Sequence, residues 1–232
     1  MPQLIAMIII VVGAMIYMFQ TFGGTGDKIT GVAQKTSVIT EINNIKSGLK
    51  FAARDGKIAD KYDDVNQEFY NTLIGLAKDG YFAEQINEQI SKNSAGEVRT
   101  DNTFNQYSAI SFGGNATNNA NGTGSMLISL IANTPGTIPG IFVDLSRDSL
   151  SDNQAFLESQ IENDLKGIAF VDRHAKVTNA GDTFKAGAKR TTGTTAEQRL
   201  PAAETSATGS DGDGMFAIYF YDFGPSELVV GK

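Results

Sequence analysis

Residues 1–24 read MPQLIAMIIIVVGAMIYMFQTFGG, and residues 33–57 read AQKTSVITEINNIKSGLKFAARDGK. The first stretch is apolar on every side from Leu4 to Phe22, and no charge precedes Asp27. A helix apolar all round is buried, either in lipid or at the centre of an assembly. At about 1.5 Å per residue, some twenty residues cover roughly the 30 Å of a bilayer's hydrocarbon core. The second stretch has another character. Ile29, Val32, Thr36, Ile39, Ile42, Ile45, Leu49 and Ala52 recur every three or four residues, with Lys28, Lys35, Glu41, Lys46 and Lys50 between them. This spacing predicts an amphipathic helix to about Arg54, stopped at Asp55-Gly56.

Together the two stretches predict an N-terminal stalk helix over residues 1–54. Residues 1–26 would be its membrane or filament-core segment and 27–54 its amphipathic half, with a globular head over 55–232. A cleaved secretory signal would show a basic start, a shorter apolar run and a small-residue cleavage site. Here the run is too long and TFGGTGD (21–27) is a poor cleavage context. The Lys/Arg asymmetry of a signal-anchor is missing as well. The expectation is a processed chain whose removed leader carried the orientation signal. Gly23, Gly24 and Gly26 each cost a helix about 1 kcal/mol relative to alanine, so a break is predicted within Phe22–Gly26.

The 232 residues allow one ordinary domain plus an appendage. With no cysteine there is no disulfide frame, thiolate metal site or cysteine nucleophile. A net charge of −7, with Lys189-Arg190 the only adjacent basic pair, argues against a nucleic-acid binder.

In the head, helices are predicted at about Asp63–Lys78 (stripe Val65, Phe69, Leu73, Leu76, Ala77) and Ala83–Lys92. Strand-like runs follow at Tyr107–Phe112, Met126–Ala132 (MLISLIA) and Ile141–Leu145 (IFVDL), with the turn-rich GGNATNNANGTG at 113–124. Ser151 with Gln154 has the form of a capping box opening a helix lined by Leu157, Ile161 and Leu165. Ile168–Val171 should return to the sheet, and Met215–Phe223 (MFAIYFYDF) should be a central strand. Between them, residues 173–214 are rich in Thr, Ala, Gly and Ser and read as a long surface loop. The expected fold class is α+β: a long N-terminal helix, hydrophobic then amphipathic, on a small and mainly antiparallel sheet of about four strands with covering helices.

This layout resembles the type IV pilins, and more closely their type IVb branch of the toxin-coregulated type. The processed-looking apolar N-terminus and residues 33–57 are similar to the two halves of the pilin helix. YNTLIGLAKDGYFAEQI (70–86) followed by NQYSAISFGGN (105–115) resembles the type IVb helix and loop leading to the first strand. GIFVDLSRDSLSDNQAFLESQIENDL (140–165) resembles the strand and helix late in that domain. The resemblance implies a leader cut by a prepilin peptidase and a helix held in the inner membrane. Pilus assembly machinery would then pack that helix into the core of an extracellular surface filament, a helical polymer of identical subunits. Adhesion, DNA uptake, motility, secretion and conjugation all use subunits of this kind. Two features depart from the family. Ile5 stands where pilins carry a glutamate, and no cysteine supplies the usual disulfide, so the 173–214 segment lacks a covalent clip.

The core-forming residues are then Met1, Leu4, Ile5, Ile8, Ile9, Val12, Met15, Ile16 and Phe19, with Ala6, Gly13 and Ala14 permitting close helix approach. Packing Leu4–Phe22 against other copies would remove on the order of a thousand Å² or more of apolar surface. At about 25 cal/mol per Å² that exceeds the cost of association.

Other chemistry is sparse. His174 is the only histidine, and a Ser-His-Asp system would have to be built on it; a loop histidine is the plainer reading. Asp63 and Asp64 read as a helix-start pair favourable to the dipole, not as metal ligands. Ser210-Asp211-Gly212-Asp213-Gly214 has the alternating aspartates of a calcium loop but no distal glutamate, and reads as a turn. Asn115 and Asn121 fit the N-glycosylation sequon, and Thr191–Thr195 are candidates for O-linked sugars. Tyr17, Phe19 and Phe22 read as packing aromatics. No enzyme, cofactor or metal is expected. The leading reading is a structural subunit of a type IV pilus-like filament, and the alternative a single-pass membrane-anchored envelope domain for binding or sensing.

Overall fold

The computed structural model describes residues 30–93, 95–114, 124–175, 199–201 and 209–232. Its first element is helix α1, residues 30–54. Val38, Ile42, Ile45, Leu49, Ala52 and Ala53 form one apolar face of α1, and all are buried in the main core. Gly48 stands on this face although glycine weakens a helix interior by about 1 kcal/mol. A Cβ there would sit 2.3 Å from Phe82 Cδ1 and 2.7 Å from the Tyr81 carbonyl oxygen. Close approach of α1 to that turn thus requires glycine. Helix α1 ends at the predicted place, with Gly56 at φ +67°.

The predicted helix over Asp63–Lys78 exists only as α2, Leu73–Lys78. The Asp63 carboxylate accepts hydrogen bonds from the Val65 and Asn66 amides, both at 3.0 Å, and Gln67 takes φ 55°. Asp63 therefore closes a local turn instead of starting a helix. Tyr70 is drawn out to pair with Ile58, its amide donating to the Lys57 carbonyl at 2.9 Å. Val65, placed on the buried stripe by its spacing, is exposed. Helix α3 (Glu84–Ser91) lies where expected, with Ile86 and Ile90 buried.

Among the described residues, five strands build one antiparallel sheet: β1 (Tyr107–Ser108), β2 (Leu127–Ile131), β3 (Gly140–Asp144), β4 (Ala169–Asp172) and β5 (Met215–Phe220). Their order is β1-β2-β3-β5-β4, so β5 is an interior strand paired on both sides and β3 is the central one. Every residue of β2 is buried, which means the sheet is covered on both faces. The strand expected over Tyr107–Phe112 lasts only two residues. The Ala109 carbonyl then accepts from the Phe112 amide, and Ile110–Phe112 turn as a 3₁₀-helix.

The Ser151–Gln154 capping box is not made. Ser151 ends a short helix α4 (Asp148–Ser151), and its hydroxyl donates to the Asp148 carbonyl at 2.6 Å. Helix α5 (Gln154–Leu165) begins afresh after Asn153 and buries Leu157, Ile161 and Leu165 as expected. The fold is α+β, an N-terminal helix with a mixed set of helices and an antiparallel sheet.

Between β4 and β5 the described residues 199–201 are firmly held. Leu200 is buried, and Arg199 Nη1 donates to the Phe223 and Gly224 carbonyls at 2.6 and 3.0 Å. The Arg199 carbonyl in turn accepts from the Ile138 amide at 2.9 Å.

Candidate functional site

Helix α1 has three surfaces with different chemistry. Its inner face is the apolar one already described. A carboxylate is set into that face: Glu41 is buried and accepts hydrogen bonds from Tyr107 Oη at 3.0 Å and from the Ser111 hydroxyl. Burial beside Glu41 pushes the Tyr107 phenol well above its ordinary value, because a second negative charge there would be neither solvated nor neutralised.

Lys35, Lys46 and Lys50 stand on the flanks and Arg54 at the end of the outward face, its guanidinium 6.0 Å from the Phe51 ring centre, and each cation reaches the head. Lys35 pairs with Asp164 of α5 at 2.8 Å. Lys46 and Lys50 converge on Asp222 at 2.9 and 3.2 Å, while the Lys46 ammonium also lies 4.4 Å from the Phe220 ring centre. Arg54 donates to Glu227 at 3.1 and 3.2 Å. Partial burial opposes the charge on Asp222, yet the hydrogen bonds from the two lysines outweigh it and hold its carboxyl below the ordinary range. Glu227 follows the same pattern, with the Gly224 amide and Arg54 as its stabilising partners. Near the start of the described helix, Phe156 closes over Gly31, and Gln34 bridges to the Ser149 carbonyl and the Asn153 side chain.

That leaves the outward face. Its exposed residues are Thr30, Val32, Ala33, Thr36, Thr40, Asn43, Asn44, Ser47 and Phe51, and no charge stands among them before Arg54. Val32 is 53% and Phe51 58% exposed. The hydroxyls of Thr36, Thr40 and Ser47 donate to carbonyls one turn back in the same helix, at 3.1, 2.9 and 2.8 Å. Their hydrogen-bonding need is thus partly met within α1, and the face they present is smooth and uncharged.

No protein-family model, curated protein or solved structure matches the chain.

The filament-core residues Met1, Leu4, Ile5, Ile8, Ile9, Val12, Met15, Ile16 and Phe19 lie outside the described residues, as do the helix-break glycines Gly23, Gly24 and Gly26 and the sequon residues Asn115 and Asn121. Thr191–Thr195 lie outside them too. Among the described residues no helix is long and apolar enough to cross a membrane, and no group of three or more metal-ligating side chains converges.

The remaining candidates are placed. His174 is half exposed; its amide donates to Asp172 at 3.0 Å and its Nε2 lies 3.9 Å from Asp211. Asp213 folds back to accept from the Ser210 and Met215 amides at 3.1 and 2.9 Å, and Asp211 faces Arg173 at 3.4 Å. Spacing alone missed the sorting of charges on α1. Their partners Asp164, Asp222 and Glu227 are more than a hundred residues distant in the chain, and no local pattern announces them.

Proposed function

We propose that this protein is a structural subunit of an extracellular type IV pilus-like filament, polymerising through its N-terminal helix. The reading rests on one observation above others. Every charge on α1 before Arg54 is either turned to a partner in the head or buried, which leaves the outward face uncharged from Thr30 to Ser47 with Val32 exposed, and Arg54 lies beside Phe51 only at its end. A helix built only to stand in water gains solubility from outward charge. One built to lie against further protein gains by removing it. The apolar run Leu4–Phe22 just ahead of this face supplies the hydrophobic driving force for assembly.

In this proposal residues 1–26 are the filament core and the head faces outward with a pilin-like packing of α1 on the sheet. The chain waits in the inner membrane before assembly, after a prepilin peptidase has removed a leader. It is a structural protein and not an enzyme, and its partner is its own copy.

The discriminating experiment compares the whole chain with a version lacking residues 1–28. The whole chain should form filaments visible by electron microscopy, and the truncated one should sediment as a soluble monomer. Polymers of the truncated chain would sink the proposal. A whole chain that stays a detergent-bound monomer would favour the lone membrane anchor of an envelope binding or sensor domain.

A further inference from the structure

Helix α5 carries a charged residue on its buried side. Glu158 is fully buried, next to Leu157 and one turn from Ile161, in a helix whose other two carboxylates, Glu162 and Asp164, are partly exposed and ion-paired. Its surroundings explain how a buried acid is tolerated. Oε1 accepts from Arg173 Nε at 2.6 Å and from the Gly212 amide at 2.9 Å, and Oε2 accepts from the Gly214 amide at 2.9 Å. Arg173 also reaches Glu162 at 3.2 Å and Asp211 at 3.4 Å through Nη1. The same two stretches of chain meet once more, where the Gly209 amide donates to the His174 carbonyl at 3.2 Å.

Arg173 follows the last residue of β4, and Gly214 precedes the first residue of β5. One carboxylate on α5 therefore holds the chain where it leaves the sheet and again where it returns. We infer that Glu158 is a non-covalent clasp that fixes both ends of this excursion to α5, the task a cross-link performs in a chain that has cysteines.

The two devices differ physically. A disulfide constrains the unfolded chain and stays closed while the native state fluctuates. A carboxylate clasp acts only in the folded state and opens whenever its ion pair and two amide bonds are lost together. The chain around Arg173 and Gly212–Gly214 is thereby given its own opening equilibrium, separate from unfolding of the sheet. This inference does not depend on whether the chain polymerises.

The test is amide exchange and limited proteolysis on the full-length chain in detergent, comparing Glu158→Gln, Arg173→Gln and Asp164→Asn. Glu158→Gln should speed exchange at Gly212 and Gly214, and cleavage between residues 173 and 214, by about tenfold or more. Exchange at Val143 and Ile218 in the sheet should stay near wild type. Arg173→Gln should raise cleavage in the same stretch while the Gly212 and Gly214 amides remain the better protected of the two ends. Asp164→Asn, which removes the α5 ion pair to Lys35 and leaves the clasp intact, should change neither. Unchanged exchange and cleavage in Glu158→Gln would overturn the clasp. So would sheet amides accelerating as much as Gly212, since Glu158 would then be part of the global core. If Glu158→Gln fails to fold, Arg173→Gln decides alone: local release supports the clasp, and wild-type cleavage refutes it.

Discussion

Tyr107 Oη donates a hydrogen bond to Glu41 at 3.0 Å, joining the buried face of α1 to the first strand of the sheet. A carboxylate taken out of water keeps its place only with donors around it, and here those donors are Tyr107 and Ser111. Tyr107→Phe leaves Glu41 with one donor and should destabilise the fold by about 1–3 kcal/mol. Urea denaturation measures it. A change below a few tenths of a kcal/mol would mean that water enters to replace the phenol.

Acid should loosen the attachment of α1 to the C-terminal segment. Asp222 and Glu227 have folded-state values held below their ordinary 3.8 and 4.5. A depressed carboxyl contributes stability above its unfolded value and loses it as pH falls through the folded one. Stability should therefore decline as the pH drops below about 4.5, and Asp222→Asn should flatten the decline. Both effects should be small, because Asp222 is 43% exposed and its ion pairs are screened by solvent. Thermal melts from pH 6 down to about 2 test the sign: a melting temperature rising toward low pH would be inconsistent with these shifts.

Gly48 should resist substitution. Alanine gains about 1 kcal/mol of helix propensity in an open position. At Gly48 its methyl group would lie far inside contact distance of the Phe82 ring and the Tyr81 carbonyl. Backbone cannot retreat as a flexible side chain can, so Gly48→Ala should lower stability by about 1–3 kcal/mol in net terms. A stabilised Gly48→Ala protein, read from its melting temperature, would show that α1 and the α2–α3 turn are less closely packed.

Much of the fold was legible, and the misses have physical causes. Ile42, Ile45, Leu49 and Ala52 were read correctly because burial on one side of a helix repeats about every 3.6 residues. Val32 and Thr36 fit the same three-and-four spacing but drift off the face. At about 100° per residue, Thr36 stands roughly opposite Ile45. Buried runs such as 126–132 were visible from continuous apolar character. The helix over 63–72 was not excluded by composition, since an aspartate that caps a turn has the same local sequence as one that starts a helix. What decided the matter was Tyr70 pairing with Ile58, a contact no local window contains. Glu158 left a weaker trace. It sits three residues before Ile161 and seven before Leu165, at core spacing, and an acid there asks for buried donors.

The outward face of α1 carries the proposed function, and one charge can probe it without touching the core. Asn44 is exposed, and its side chain makes no hydrogen bond with the head among the described residues. Asn44→Glu should fold with wild-type stability, within about 0.5 kcal/mol. It should nonetheless assemble poorly, since a buried unpaired charge costs several kcal/mol at a protein–protein contact. Electron microscopy of the full-length chain reads the outcome directly. Abundant filaments from wild type and few or none from a well-folded Asn44→Glu are expected. Filaments equally abundant from both would show that this face remains in water and plays no part in assembly.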